Sequence, residues 1–138
     1  MVIIGIAGSN ATRRDAVAEA AAEAKLRRLL VHAVYNPTLR GGRGSIQSRV
    51  QRIGESIEDV KCARMAGALF SQVLTEPEAQ QIRDLGGVMW HVQGVPSSEV
   101  AIQRGDLMVT SKPGGDRHFL DPVEALSATL LALDAREA

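Results

Sequence analysis

The segment that decides the fold is Val2–Ala7, with the sequence VIIGIA, and the polar stretch GSNATRRDA follows it at residues 8–16. The six residues are apolar or glycine throughout, without the alternation of a strand that has one face in water. A run of this kind is typical of a strand buried on both faces, as in a parallel sheet. We therefore predict that Val2–Ala7 is an inner strand of such a sheet.

Strand-like and helix-like segments alternate along the rest of the chain. We predict further strands at residues 30–35, 66–73, 88–92 and 106–110 and a first helix at residues 13–30. A second helix is expected to bury an apolar stripe, formed by Ile46, Val50, Ile53, Ile57 and Val60. This alternation predicts an α/β fold in three layers, with a mainly parallel sheet of five strands.

Capping patterns mark where three of the helices begin. A Ser, Thr, Asp or Asn side chain there accepts a hydrogen bond from a backbone N–H in the first turn, and an acidic residue three positions later strengthens the pattern. The pattern pairs Thr12 with Asp15, Thr75 with Glu78, and Asp121 with Glu124. Pro122 at the first helical position favours the last of these starts.

The composition limits the classes of protein to which the chain can belong. Its 138 residues suffice for a single domain over residues 1–138. The 16 basic and 16 acidic residues balance, which excludes a strongly basic nucleic-acid binder and an acidic disordered protein. Aromatic residues make up 3% of the chain, too few to supply a base-stacking surface well.

The sequence also sets expectations about compartment and metal binding. No leader pattern is visible, and no apolar run approaches the roughly 20 residues of a membrane span, so we expect a cytoplasmic protein. The three histidines, His32, His91 and His118, lie far apart in sequence and lack the spacing of metal ligands on a helix. We therefore expect no metal site.

The densest basic patch surrounds a glycine-rich segment at residues 39–44, with the sequence LRGGRG. The patch consists of Arg40, Arg43, Arg49 and Arg52. Two interpretations stay open at this point. The patch is either a solvated loop and helix face, or a surface that contacts phosphate or an acidic partner.

The segment after the first strand has the length and place of a phosphate-binding loop, whose pattern is G-x-x-x-x-G-K-[ST]. In open α/β sheets, ligands bind at the carboxyl ends of the strands. Gly8 matches the first glycine of the pattern. Arg13 stands at the second glycine, Arg14 at the lysine, and Asp15 or Ala16 at the hydroxyl that binds Mg²⁺.

On these residues the chain resembles the deoxynucleoside monophosphate kinases of phages and bacteria, in which the glycine and lysine of the loop are followed by Asp and Thr. Asp15 matches that aspartate, and Ala16 takes the place of the threonine. Gln51-Arg52-Ile53-Gly54 is similar to a Gln-x-x-Gly segment of the family, and residues 70–90 resemble a strand, a helix and a second strand. The resemblance covers most of the chain and implies a shortened, P-loop kinase-like domain of phage origin.

The departures from the family's pattern fall on the residues that carry its chemistry. Arg13 has a side chain where glycine lets the backbone approach phosphate, Ala16 has no hydroxyl for Mg²⁺, and Ser71-Gln72-Val73 stands where the family has Asp-Val-Arg. We therefore expect a catalytically degenerate protein, without catalytic residues or a cofactor, that acts by binding or interaction. The alternatives are an active nucleotide or modified-DNA-base kinase with an unusual P-loop, and a phosphate- or nucleic-acid-binding module.

Three interpretations of the first loop stay open: a plain helix cap, a residual anion site and a working kinase site. The residual site would use the N-terminus of the first helix and would be formed by Gly8, Ser9, Asn10, Arg13 and Arg14. We expect at most weak binding of a nucleotide or phosphate there. A protein partner, or a second copy of the chain in a homodimer, is the other expected partner.

Overall fold

The computed structural model describes residues 1–24, 26, 29–32 and 43–137, with the backbone alone for 29–32, 43–45 and 137. Its strands are β1 (Val2–Ala7), β2 (Leu29–His32), β3 (Gly67–Phe70), β4 (Val88–Val92) and β5 (Leu107–Val109). Its helices are α1 (Ala11–Glu23), α2 (Arg43–Cys62), α3 (Glu76–Asp84) and α4 (Pro122–Glu137). Residues 33–35 of the predicted second strand lie outside the described residues.

Within the described residues the strands form one sheet of five, in the order β2-β3-β1-β4-β5. Every pairing between neighbouring strands is parallel. β1 lies in the interior of the sheet, where Val2 is in register with Gly67 of β3 and Ile4 is in register with Val88 of β4. The predicted α/β class with a parallel sheet, and the inner position of Val2–Ala7, are therefore confirmed.

Helices cover both faces of the sheet, which explains why β1 is apolar at successive positions. Side chains alternate between the two faces of a strand. Ile4 and Ile6 pack in one cluster with residues of α1 and α4, whereas Ile3 and Ala7 pack in the other with residues of α2 and α3. The Trp90 ring is fully buried in the first cluster, and its Nε1 donates a hydrogen bond to Thr129 Oγ1 on α4.

The first helix differs from its prediction at both ends. α1 begins at Ala11, and its cap is Asn10, whose Oδ1 accepts a hydrogen bond from the Arg13 N–H at 3.0 Å. Thr12 therefore lies inside the first turn, and the predicted Thr12 cap is wrong. The predicted end at residue 30 is also wrong, because residues 29–32 pair with β3 as strand β2. The Ala-rich segment, which has high helix propensity, ends at Ala24, and residues 25–30 contain no alanine.

The caps of the later helices agree better with their predictions. Asp121 caps α4, and its Oδ1 accepts the Glu124 N–H at 2.7 Å, as predicted. Thr75 is the cap residue of α3, but its hydroxyl makes no bond to the helix backbone. The hydroxyl instead donates to Glu78 Oε1 at 2.9 Å, so the predicted pair is in contact through the two side chains.

The loop between β4 and β5, residues 93–106, is attached to the sheet and to α3 at several points. Val100 is buried in the cluster with α2 and α3. The Ala101 N–H donates to Glu76 Oε2 at 2.8 Å. Asp106 Oδ2 accepts the Gln103 N–H at 3.0 Å and lies 2.8 Å from Arg83 Nη2.

Asp106 also makes a close contact with a buried histidine of β4. Its Oδ2 lies 2.7 Å from His91 Nε2. Burial alone would raise the pKa of Asp106, but the hydrogen bonds from His91, Gln103 and Arg83, together with the charge of Arg83, hold the pKa below its usual 3.8. The carboxylate form of Asp106 thus stabilises the β4–β5 loop in its observed position.

A first prediction concerns the close approach of β1 and β3. A Cβ added at Gly67 would overlap the Val2 backbone, which cannot move without breaking the strand pairing. Gly67→Ala should lower the free energy of unfolding, measured by urea denaturation, by about 1–3 kcal/mol. Gly54→Ala is the matched control, because Gly54 lies inside α2 and a Cβ there would make an ordinary van der Waals contact with Gln81 Nε2 at 3.9 Å. It should raise the same free energy by about 0.5–1 kcal/mol. If the two substitutions change the free energy of unfolding equally, the close approach of β1 and β3 at Gly67 is contradicted.

A second prediction concerns pH. The pKa of Asp106 is lowered in the folded state, so its stabilising contribution is present above the usual 3.8 and is lost as the pH falls through the lower, folded value. The free energy of unfolding of the wild-type protein should therefore fall between pH 5 and pH 3, and Asp106→Asn should make that fall smaller. Asp134→Asn, on an exposed position of α4, is the control and should leave the pH dependence unchanged. If the free energy of unfolding of Asp106→Asn depends on pH as that of the wild type does, the Asp106 carboxylate does not stabilise the fold in this way.

Candidate functional site

A cleft of about 320 Å³ lies at the carboxyl ends of β4 and β5, beside the first turn of α1. This is the edge of a parallel sheet at which α/β proteins bind ligands. The lining residues come from three segments of the chain. They are Arg13 from α1, Val92, Gln93 and Gly94 from the end of β4, and Thr110, Ser111 and Lys112 from the segment after β5.

Arg13 forms one side of the cleft. Its Nη1 donates a hydrogen bond to the Gln93 carbonyl at 3.0 Å, and the side chain is exposed. Gly94 makes this placement feasible, because a Cβ there would lie 2.7 Å from Arg13 Nη1 and the backbone φ of +127° disfavours any side chain. The guanidinium has five N–H donors in all, so this bond leaves donors for an anion in the cleft.

A network of polar side chains forms the opposite side. Gln93 Nε2 donates to Asp116 Oδ2 at 2.8 Å, and the Thr110 hydroxyl donates to Gln93 Oε1 at 2.7 Å. Lys112 Nζ lies 2.9 Å from the same Asp116 oxygen. The hydrogen bonds from Gln93 and Lys112 lower the pKa of Asp116. Lys112 remains largely exposed, and its ammonium has two further donors.

The loop after β1 does not have the geometry of a phosphate-binding loop. Three residues separate β1 from α1, and the position of the second glycine, Arg13, already lies in the helix. The Ser9 N–H and the Ser9 hydroxyl both donate to the Val95 carbonyl, at 3.2 and 2.6 Å. The Arg13 N–H is bound by the Asn10 side chain. These donors are therefore engaged within the protein.

Arg14 points into the protein rather than into the cleft. It is buried, its Nε donates to the Ser71 carbonyl at 3.2 Å, and its Nη1 donates to the Gly8 carbonyl. Burial lowers the pKa of Arg14, the charge of Asp15 acts in the opposite direction, and the charge of Arg49 lowers it further. Of the five residues predicted for a residual anion site, only Arg13 is among the lining residues of the cleft. Ser9 is bound to Val95, Asn10 caps α1, and Arg14 is bound to the carbonyls of Ser71 and of Gly8, the fifth residue.

The predicted basic patch is wrong for Arg49. That side chain is 1% exposed, and its Nε makes an ion pair with Glu78 Oε1 at 2.8 Å, while Nη2 donates to the Gln72 carbonyl. Arg49 lies three residues after Ile46 and four before Ile53, so the spacing of the apolar stripe already put it on the inner face of α2. Arg52 is exposed on α2, and Arg40 and the side chain of Arg43 lie outside the described residues.

The cleft residues after β4 and β5 were not singled out by the sequence as binding residues. Residues 112–116 (KPGGD) form a turn in which the Gly115 N–H donates to the Lys112 carbonyl, and the cleft forms because that turn brings Lys112 and Asp116 next to Gln93. A basic and an acidic residue around a Gly-Gly turn, directly after a strand, are the signal that could have pointed to this site. The partner of the turn, Gln93, lies in another segment and carries no signal of its own.

Within the described part of the chain, no three or more His, Cys, Asp or Glu side chains are grouped so that they could hold a metal ion. None of the helices described is both long enough and apolar enough to cross a membrane.

Comparisons with known proteins show a similarity in fold to one solved structure and no match to a family model or a curated protein. The solved structure of a hexameric APS kinase from Thiobacillus denitrificans is similar, with a TM-score of 0.53 and 16% sequence identity. The similarity covers 98% of this chain and 29% of that chain, so this chain spans under a third of the length of its neighbour. The protein therefore has a P-loop kinase-like α/β fold, and the resemblance to the deoxynucleoside monophosphate kinases stays a prediction.

Proposed function

We propose that this protein is a catalytically inactive member of the P-loop kinase-like fold that binds a small, phosphate-bearing ligand in the cleft at the carboxyl ends of β4 and β5. The observation that carries the proposal is the early start of α1 at Ala11, with Arg13 directed to the cleft and Arg14 directed inward. The first loop supports the lack of phosphoryl transfer, and the charges of the cleft support the binding of a phosphate group.

The first loop supports the absence of phosphoryl transfer. That reaction depends on backbone donors and a cation around the phosphates and on a bound Mg²⁺. Here the donors of Ser9 are bound to Val95, and the guanidinium of Arg14 is bound to two carbonyls. Ala16 offers no hydroxyl to Mg²⁺. The kinase activity in the name of the structural neighbour is therefore not proposed for this chain.

The cleft supports the binding of a small anion. Arg13 and Lys112 supply two cationic groups from different parts of the chain, and both carry donors beyond their bonds within the protein. A volume of about 320 Å³ is near the lower end of the range for small-molecule sites. Together with the balanced overall charge, this volume favours a small phosphate ester over a polynucleotide.

Isothermal titration with inorganic phosphate tests the binding half of the proposal. The wild-type protein should bind phosphate, and Arg13→Ala should weaken binding by about tenfold or more, the effect of a lost charge-assisted hydrogen bond. Lys61→Ala removes one positive charge from an exposed position of α2 and is the matched control, which should bind as the wild type does. Equal binding by Arg13→Ala and wild type would reject Arg13 as a ligand of the anion.

A coupled assay with ATP, Mg²⁺ and deoxynucleoside monophosphates tests the other half. We expect no turnover, because each missing element of the phosphate loop removes transition-state stabilisation. Turnover near 1 per second, an ordinary rate for a kinase, would establish the alternative function of an active kinase.

A further inference from the structure

The cleft offers little to an aromatic base. None of its described lining residues is aromatic. Trp90, two residues before Val92 on β4, is fully buried and bonded to Thr129, so its ring cannot stack on a ligand. Stacking on an aromatic side chain is the usual source of affinity for a base that is bound outside a duplex.

The amide that could recognise the edge of a base is also engaged. Gln93 donates through Nε2 to Asp116 and accepts through Oε1 from Thr110. Reading a base edge by an amide needs both of these atoms at once. Gln93 can therefore recognise a base edge only if its hydrogen bonds to Asp116 and Thr110 are broken.

The other polar groups of the cleft can form hydrogen bonds with the oxygen atoms of a ligand. Arg13 and Lys112 donate from charged groups, and the Ser111 hydroxyl both donates and accepts. Charged donors match phosphate oxygens, and a hydroxyl matches the alcohol groups of a sugar or polyol. We infer that the ligand is a phosphorylated sugar or polyol rather than a nucleotide, an inference that rests on the proposed function.

Comparison of ribose 5-phosphate with AMP isolates the contribution of the base, because AMP is a ribose 5-phosphate that carries adenine. Both are titrated into the full-length protein by calorimetry, with unphosphorylated ribose as the control ligand. Ribose 5-phosphate should bind at least as tightly as AMP, and ribose should bind at least about tenfold more weakly than either. Arg13→Ala should weaken both phosphorylated ligands equally, and Lys61→Ala should change neither.

The possible results separate the two proposals. A stacked or hydrogen-bonded base would make AMP bind at least about fivefold more tightly than ribose 5-phosphate. That result overturns the inference and leaves the proposed function intact. Absence of binding by inorganic phosphate, ribose 5-phosphate and AMP alike overturns both. Should Ser111→Ala, which removes only a surface hydroxyl, weaken ribose 5-phosphate but not inorganic phosphate, the sugar contact is supported directly.

Discussion

The buried guanidinium of Arg14 joins the carboxyl ends of β1 and β3 through the carbonyls of Gly8 and Ser71. The rest of the site depends on this contact, because it fixes how α1 leaves the sheet. Successive residues of an α-helix point about 100° apart. With Arg14 directed inward, Arg13 lies on the side of β4 and reaches the Gln93 carbonyl. One arginine thus fills the interior beside the loop, and its neighbour supplies a cation to the cleft.

The same arrangement engages several donors of the loop within the protein. A phosphate-binding loop works by directing several backbone N–H groups at an anion. In this chain the Ser9 donors face the Val95 carbonyl, and the Arg13 N–H faces the Asn10 side chain. The β4–β5 loop that provides Val95 is in turn attached through Asp106 to His91 and Arg83. The protein thus combines a P-loop kinase-like fold with a first loop in which the Ser9 and Arg13 N–H groups are bound within the protein.

The fold was more predictable from the sequence than the site was. The apolar run of β1 and the Asp121 cap are local signals, and the structure agrees with both. The end of α1 was not predictable, since the Lys, Leu and Arg residues after Ala24 also favour a helix, whereas the pairing of β2 with β3 joins distant segments. The spacing of α2 put Arg49 on the inner face, but its partner Glu78 is 29 positions away, and the Arg13–Gln93 contact spans 80 positions. Sequence patterns report local preferences, and these contacts are decided by the packing of separate elements.

The most direct test of the central proposal, that an anion binds in the cleft at the carboxyl ends of β4 and β5 and not at the first loop, is a titration of ¹⁵N-labelled protein with inorganic phosphate, followed by NMR. We expect the amide signals of Gly94, Ser111 and Lys112 to shift with phosphate concentration, because these residues line the cleft. The signals of Ser9 and Ala11 should move little. If the amide signals of Ser9 and Ala11 shift while those of Ser111 and Lys112 do not, the proposal is contradicted. The anion would then bind at the N-terminus of α1.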